Sequence, residues 1–375
     1  MTKKKHILVL SSWYPSRTAP FVGNFVKRQA LLFAKEYNIT VLFTKADASL
    51  QSIEIIETTA ENFTEIIIYH PAGKSIFQKI STQKKAFKEG LKRIQNVDLI
   101  QGHVMLPKGW QFITAKNYFQ CPLLVTEHGS YFRPEAKKNR TFIEKMILRK
   151  VKKQIDLLTC VSDFFRKDLQ VDFPNFDIQL LPNAVNTSFF IPKTKEKNSQ
   201  KEFLHISTLD EKLKNPKGIF DACSLLINTG NTNFQLTVVC DENYDQWINY
   251  TEKLGISSYV TFYGAKTSEE LLSLYQNSDA FILFSNYETF SIVLVESWAC
   301  GVPTLTTPVG IGYDLPDELG IQVERNSSRS LADAMLTIIQ EQKTFSPQKL
   351  HEAATVYSEA KIISIFDAFV SKLTH

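Results

Sequence analysis

The sequence predicts an α/β protein with two domains, each built on a parallel sheet that helices cover on both faces. Short apolar runs alternate with stretches whose apolar residues recur three and four positions apart, which is typical of parallel strands and their crossover helices. A length of 375 residues suits two cores better than one. A polar, lysine-rich segment at 192–201 interrupts the alternation, and it predicts the linker between the domains.

Apolar runs predict strands on both sides of that linker. In the first half we expect strands at 6–10, 39–43, 64–69, 98–101, 122–126, 157–161 and 178–181. In the second half we expect them at 203–207, 235–240, 259–263, 280–284, 303–306 and 320–323. Helical periodicity is clearest at 24–36, at 76–95 and in a final helix over about 347–373.

Composition points to a soluble intracellular protein. Apolar residues make up 43% of the chain and charged residues 22%, which is ordinary for a globular protein. No apolar run approaches the roughly 18 residues that a membrane span needs, and the four-residue run at 7–10 is too short for a signal peptide. The five cysteines are scattered and odd in number, which favours reduced thiols in a cytoplasm over disulfides or a metal site.

Charge is distributed unequally along the chain. Residues 1–188 hold 28 Lys and Arg against 16 Asp and Glu, whereas residues 189–375 hold 15 against 23. A basic half suggests an anionic ligand or surface. No nucleic-acid-binding motif accompanies the charge, so we expect no nucleic-acid partner. An anionic membrane leaflet or a phosphate-bearing acceptor fits better.

The most basic stretch, 136–153, has the pattern of an amphipathic helix. Its apolar stripe consists of Phe142, Ile143, Met146, Ile147 and Val151. We expect that stripe to pack on the sheet while the cations face solvent. The alternative is that the helix docks on an anionic membrane carrying a lipid-linked acceptor, and both can hold at once.

Two glutamates stand out in the second half, Glu288 and Glu296. They lie between two strand-like runs, within a predicted strand–loop–helix–strand unit whose helix ends at Gly301. Glu288 follows the strand, where open α/β sheets bind ligands, and Glu296 is a little over two helical turns further on, nearly in line with it. We expect the helix to begin at 289–291, where free backbone N–H groups could bind a phosphate.

An ordinary interpretation of these glutamates is a capping carboxylate and a solvated helix face. The helix between them is strongly apolar, however, and a buried carboxylate needs a partner. In addition, the segment from Ser285 to Pro303 closely resembles the signature of glycosyltransferase family 4. The match includes both glutamates with seven residues between them, Phe290, the run Ala-Cys-Gly that ends at Gly301, and the proline.

This resemblance implies the GT-B fold, which has two Rossmann-like domains with a deep cleft between them. Residues 1–186 would form the acceptor-side domain and 187–355 the domain that binds the nucleotide sugar. The C-terminal helix, about 356–375, would cross back onto the first domain.

The resemblance also implies roles for residues of the second domain. Glu288 would contact the transferred sugar, and Glu296 would accept hydrogen bonds from ribose hydroxyls. The amides of Thr289, Phe290 and Ser291 would stabilise the leaving diphosphate together with Lys214 or Lys217.

Several of these assignments have alternatives. Both lysines fit variants of the family pattern, and a solvated lysine loop is the third interpretation. The Gly-Arg pair that many members carry before this loop is replaced by Ser207-Thr208. Gly264 resembles the position against the nucleobase, and Gly310 resembles one that closes over sugar or phosphate. Both could instead be ordinary turn glycines.

Three residues of the first domain are further candidates. The loop after the first strand has a single glycine, Gly23, so it is not a dinucleotide fingerprint, although that glycine permits close backbone approach. His103 and His128 both follow strands, where a lone histidine is more often structural than catalytic. The resemblance places Gly23 near the donor phosphates and His128 near the donor sugar, and it assigns His103 no settled role.

The sequence therefore predicts a retaining glycosyltransferase of hexosyltransferase type. It would move a sugar from a nucleoside-diphosphate sugar to an acceptor hydroxyl in polysaccharide or lipid-linked glycan synthesis, at the inner face of the cell membrane. No Asp-x-Asp motif ends a suitable strand, so we expect no cofactor and no metal requirement. The alternatives are a nucleotide-sugar epimerase or hydrolase of the same architecture and a non-catalytic sugar-binding protein.

Overall fold

A computed structural model describes residues 4–194 and 200–374, which form two compact units. The first unit runs to Val161 and adds Arg166–Asn183 and the chain from Ile362 onward. The second comprises Ser162–Phe165 and Ala184–Lys361. Part of the predicted linker, residues 195–199, lies outside the described residues.

The first unit is built on an eight-stranded sheet. Its strands are β1 (His6–Ser11), β2 (Asn38–Asp47), β3 (Glu54–Ala60), β4 (Phe63–Pro71), β5 (Leu99–His103), β6 (Leu123–Glu127), β7 (Leu157–Cys160) and β8 (Gln179–Leu180). The helices of this part of the chain are α1 (Asn24–Phe33), α2 (Ile76–Leu91), α3 (Trp110–Phe119), α4 (Pro134–Lys138), α5 (Phe142–Lys152) and α6 (Asp163–Asp172).

The strand order β3-β4-β2-β1-β5-β6-β7-β8 identifies a doubly wound sheet, parallel except for the edge pair β3–β4. The central strands are fully buried on both faces, which explains why they read as continuous apolar runs. The order reverses between β1 and β5. Ligands of such sheets bind outside the carboxyl ends of the strands at the reversal.

The second unit is built on a six-stranded sheet in the order β11-β10-β9-β12-β13-β14, all parallel. Its strands are β9 (Lys201–Ile206), β10 (Phe234–Val239), β11 (Val260–Tyr263), β12 (Ala280–Leu283), β13 (Thr304–Thr306) and β14 (Gly320–Gln322). The helices that follow β9 in the chain are α7 (Glu211–Lys214), α8 (Pro216–Asn228), α9 (Asp245–Lys253), α10 (Ser268–Asn277), α11 (Ile292–Ala299), α12 (Ser328–Ile339), α13 (Pro347–Ala354) and α14 (Glu359–Leu373). Here the order reverses between β9 and β12.

The C-terminal segment differs from the prediction of one long helix. It breaks at a short 3₁₀ turn, Thr355–Tyr357, into α13 and α14. The last helix packs in the first unit, where Phe366 stacks on Phe33 of α1 with ring centroids 3.8 Å apart, and Tyr37 donates to Asp367 at 2.7 Å.

The basic stretch at 136–153 also differs from the prediction. It divides into α4 and α5, because Thr141 and Glu144 form a capping box that starts a new helix. Only Val151 of the predicted stripe is buried, together with Leu148. Phe142, Ile143 and Met146 are exposed, so the expectation of an inward-packed stripe is wrong for most of its length.

No helix in the described ranges combines the length and the apolar character that crossing a membrane requires. All five cysteines lie within those ranges, and each is buried without forming a disulfide.

Candidate functional site

Glu288 lies at the carboxyl edge of the second sheet, in the loop that follows β12. Its Oε1 atom accepts hydrogen bonds from Lys214 Nζ at 2.6 Å and from Ser285 Oγ at 2.7 Å. The side chain is buried, so the ammonium group balances a carboxylate that has lost most of its water. Because Glu288 precedes α11 rather than lying on it, its predicted alignment with Glu296 along one helix is wrong.

Lys214 and Lys217 point in different directions. Asn215, with φ 49°, ends α7 and caps α8, so the two lysines belong to different helices. The Lys214 side chain is 21% exposed and contacts Glu288. The Lys217 side chain is 51% exposed and pairs with Asp221 one turn along α8, at 2.7 Å. The structure therefore brings Lys214, and not Lys217, to the glutamate.

His205, a residue that the sequence did not mark as functional, connects β9 and β12 at the carboxyl edge of the second sheet. Its Nδ1 donates to the carbonyl of Ile282 at 2.9 Å, and its Nε2 accepts from Ser207 Oγ at 2.8 Å. Burial, and to a smaller extent the nearby Lys214 charge, lower its pKa to about 4 against the opposing effects of the Ile282 carbonyl and Glu288, so the ring is neutral at pH 7. His205 thus links β9 to β12 where Ser207 replaces the expected glycine. A polar residue inside the apolar run 203–206 was its only sequence signal.

Glu296 lies on α11 and is buried, as the apolar neighbours of the helix indicated. Its Oε2 accepts a hydrogen bond from the Tyr275 hydroxyl at 3.1 Å. The interpretation of Glu296 as part of a solvated helix face is therefore wrong. A buried carboxylate oriented by a tyrosine is suited to accept further hydrogen bonds from a ligand.

The segment 289–291 is a loop, because α11 begins only at Ile292. Ser291 has φ 80° and its buried Oγ has no hydrogen-bond partner among the described residues. The Phe290 carbonyl accepts from Ile311 N at 3.1 Å, and a Cβ on Gly310 would lie 2.6 Å from that carbonyl oxygen. Gly310 therefore lies directly against this loop and beside Glu288, whose Cβ would be 3.1 Å away.

Gly264 follows β11, the outer strand of the sheet. Nothing lies within 4 Å of the position that a Cβ would take there. It lies at the same carboxyl edge as Glu288, with β10 and β9 between β11 and β12.

In the first unit, His103 ends β5 and His128 follows the neighbouring strand β6. His103 Nδ1 and His128 Nε2 are 3.0 Å apart, so one ring donates to the other. Burial lowers the pKa of His103 to about 3 and that of His128 well below its usual value, the second also because a protonated His128 would be repelled by a protonated His103. Both rings are neutral, and the buried His128 Nδ1 has no partner among the described residues.

Gly23 lies at the start of α1, two residues before Phe25, whose ring contacts His128. It has φ 73°, and a Cβ there would lie 2.4 Å from the backbone of Trp13. Only glycine fits such a position. The close approach is to the loop's own backbone, and it brings the Phe25 ring to within 4.7 Å of the His128 ring.

Glu127, which the sequence analysis also missed, shapes the loops around the histidines. It is fully buried and accepts backbone N–H bonds from Met105 at 2.9 Å, His128 at 2.9 Å and Gly129 at 2.7 Å. Burial raises its pKa to about 7, although these three bonds favour the ionised form. No sequence motif marks it apart from its position beside His128.

We expect the stability of the Glu127→Gln variant to fall less than that of the wild type as pH rises. The pKa of Glu127 is raised from 4.5 to about 7 in the folded protein. The contribution of this side chain to the free energy of unfolding is therefore complete below pH 4.5 and is lost as pH rises to about 7. The loss is about 3 kcal/mol of the free energy of unfolding. Urea unfolding at a series of pH values measures the difference between wild type and variant. Parallel pH profiles would contradict the prediction, and the exposed Glu135→Gln should keep the wild-type profile.

Within residues 4–194 and 200–374, no three His, Cys, Asp or Glu side chains are grouped so that they could hold a metal ion. The Lys214 ammonium contacts Glu288, and α11 begins four residues after it.

Comparisons with known proteins match both parts of the chain to glycosyltransferases. The sequence profile described as Glycosyltransferase Family 4 matches residues 22–189, and the profile described as Glycosyl transferases group 1 matches residues 186–356. An uncharacterized glycosyltransferase of Methanocaldococcus jannaschii is 25% identical over 344 residues, which cover 89% of each chain.

Solved structures show the same fold. Sucrose-phosphate synthase of Thermosynechococcus elongatus superposes with a TM-score of 0.80 at 17% identity, over 99% of each chain. Anabaena HepE, in complex with UDP and glucose, has a TM-score of 0.73 at 16% identity, over 98% of this chain and 100% of its own. These neighbours confirm the predicted GT-B class, with its two parallel-sheet α/β domains. The two profiles, which follow each other along nearly the whole chain, show that the protein belongs to the group 1, family 4 glycosyltransferases and is a transferase enzyme.

Proposed function

We propose that the enzyme transfers a sugar from a nucleoside-diphosphate sugar to an acceptor hydroxyl with retention of anomeric configuration. The observation that supports it best is the Lys214–Glu288 pair at the β9–β12 reversal, beside the loop that leads into α11. This is where a doubly wound sheet binds its ligand, and a lysine and a helix amino end there favour a diphosphate.

Each polar group of this edge then has a role. Lys214 and the backbone amides of 289–291 stabilise the diphosphate as its charge grows in the transition state. Glu288 orients the transferred sugar, and Glu296, positioned by Tyr275, accepts hydrogen bonds from the ribose. Gly310, which lies directly against that loop, closes over the sugar or phosphate, and Gly264 lies at the position proposed for the nucleobase. Lys214 supplies the positive charge for which other enzymes use a metal.

The first unit contributes His128 and Gly23 in this proposal. The Nδ1 atom of His128, which has no hydrogen-bond partner among the described residues, would bind a hydroxyl of the donor sugar. His103 holds the ring, since a neutral pair that shares one hydrogen bond restricts both tautomer and orientation. Gly23 lets the loop after β1 pass close enough to position Phe25 against that ring.

The proposed mechanism retains the anomeric configuration of the sugar without a nucleophile from the protein. The acceptor oxygen attacks the anomeric carbon on the face from which the phosphate oxygen departs. The bond to the acceptor forms as the bond to phosphate breaks, and the acceptor proton passes to the departing phosphate oxygen. The enzyme's part is to hold both groups in place and to stabilise the charge of the diphosphate.

The acceptor is proposed to be a polysaccharide or a lipid-linked glycan, used at the inner face of the cell membrane. The basic first unit supports this, since both anionic lipids and phosphate-bearing acceptors attract cations. Membership of the transferase family favours transfer over epimerisation and over sugar binding alone.

The test is a panel of nucleotide sugars, first screened by thermal shift and then incubated with and without glycan acceptors. We expect one donor to be consumed much faster when its acceptor is present, and the new linkage to keep the donor's anomeric configuration by NMR. Epimerised sugar from the donor alone would favour the epimerase. An inverted product would exclude the proposed mechanism.

A further inference from the structure

Helices α2 and α5 of the first unit share one surface pattern. Each begins near a phenylalanine and carries cations seven, eight and eleven residues after it. Because these spacings fall on neighbouring turns, the cations lie along the same side of the helix as the aromatic ring. The residues are Phe77, Lys84, Lys85 and Lys88 on α2, and Phe142, Arg149, Lys150 and Lys153 on and just after α5.

Both aromatic side chains are exposed to an unusual degree. Phe77 is 82% exposed and Phe142 is 80% exposed. Their apolar neighbours Ile80, Ile143 and Met146 are exposed as well, at 37%, 48% and 41%. Large apolar groups clustered on a surface in this way mark an interaction site rather than a random exposure.

The topology places both phenylalanines at the carboxyl edge of the sheet. A crossover helix between parallel strands runs antiparallel to them and therefore starts at that edge. Helix α3 packs between α2 and α5 on one face of the sheet. Since packed helices lie about 10 Å apart, the axes of α2 and α5 are roughly 20 Å apart. The two rings thus form two separate points of contact on one side of the unit.

The charge around these points is strongly positive. Residues 74–93 contain seven Lys or Arg and one acidic residue, and residues 133–153 contain nine and two. The six cations of the shared pattern form no ion pair within the described residues, whereas Lys137 and Arg140 pair with Asp172. A groove of about 550 Å³ runs along Phe77, Ile80 and the lysines of α2.

We propose that α2 and α5 together form a docking surface for an anionic lipid bilayer. The rings and their aliphatic neighbours enter the interface, and the cations face the lipid headgroups. The charges alone would also bind a nucleic acid. A phosphate backbone, however, has no apolar surface against which the exposed Ile80, Ile143 and Met146 could pack, whereas a lipid bilayer has one. This assignment deepens the proposed function and rests on it for the lipid-linked acceptor.

The test is co-sedimentation of the full chain with vesicles of phosphatidylcholine, with and without 30% phosphatidylglycerol, at low salt. We expect binding only to the anionic vesicles. Each lysine near such a surface contributes about fivefold in affinity, so Lys84→Gln/Lys85→Gln/Lys88→Gln should lose roughly 100-fold, as should Arg149→Gln/Lys150→Gln/Lys153→Gln. Phe77→Gln and Phe142→Gln should each lose about tenfold.

Matched controls separate this surface from the rest of the unit. Tyr118→Gln alters an exposed aromatic at the carboxyl end of α3, away from the edge of the sheet where Phe77 and Phe142 lie. Val171→Gln alters an exposed residue of α6. Both should bind vesicles as the wild type does. The proposal fails if the wild type ignores anionic vesicles, if the phenylalanine variants bind unchanged, or if a DNA or RNA oligonucleotide binds more tightly than the vesicles. Consumption of the donor in vesicle-free solution is measured in parallel, so that failure of the proposed activity is detected independently of docking.

Discussion

Replacing Glu288 with glutamine is expected to lower the rate of sugar transfer at saturating donor by about 10²–10³-fold. Glutamine has the same shape but no charge, so the Lys214 ammonium loses the carboxylate that now lies 2.6 Å away. The amide oxygen can still accept the bonds from Lys214 and Ser285 that Oε1 now accepts, but without the carboxylate charge both bonds are weaker. The size of the effect is that of removing one group that stabilises the transition state.

Nucleotide affinity, measured by calorimetry, should change by less than about threefold in this variant, since the glutamate is proposed to act on the sugar. The control is Glu252→Gln, which removes an exposed carboxylate of the same unit and should leave turnover intact. Turnover equal to that of the wild type in Glu288→Gln would refute the proposed role. A large loss of nucleotide affinity would move that role from the sugar to the diphosphate.

The sequence predicted the parallel strands well because of where they lie. β1, β5 and β12 are buried on both faces, so each reads as an unbroken apolar run whatever its neighbours are. β3 was missed for the opposite reason. It is an antiparallel edge strand with most of its residues exposed, and its sequence mixes Glu and Thr with Ile. Nothing local distinguishes such a strand from a loop.

The start of α11 could not be predicted because distant residues determine it. Ile311 N donates to the Phe290 carbonyl and Gly310 packs against it, and the next residue, Ser291, has a φ of 80° that a serine rarely adopts. The pairing of Glu296 with Tyr275 is likewise a contact between two helices. Buried carboxylates could be expected from the apolar surroundings, but the identity of their partners could not.

The choice between Lys214 and Lys217 could not be made from the sequence either. Their sequence context fits the phosphate-binding pattern equally well, and only the left-handed Asn215 between them decides which side chain reaches Glu288. The histidine pair was recognised residue by residue at strand ends. Its hydrogen bond follows from the adjacency of β5 and β6, which the strand order alone reveals.

Lys214→Gln is expected to weaken binding of the nucleoside diphosphate by about 10–100-fold, because a charge-assisted hydrogen bond to phosphate is lost. Lys217→Gln removes a nearby lysine of α8 that pairs at the surface with Asp221, and it should change affinity by less than about threefold. Calorimetry with the free diphosphate compares the two directly. The assignment is wrong if Lys217→Gln has the larger effect.

The double variant Lys214→Gln/Glu288→Gln then tests whether the ion pair itself matters. If Glu288 serves only to hold Lys214, its replacement adds nothing once the lysine is gone, and the double variant turns over as slowly as Lys214→Gln alone. If Glu288 contacts the sugar independently, as proposed, the two losses in turnover multiply. Because the two side chains are in direct contact at 2.6 Å, their interaction energy adds a deviation from that product. A double variant faster than Glu288→Gln would mean that the unpaired ammonium, rather than the missing carboxylate, inhibits the single variant.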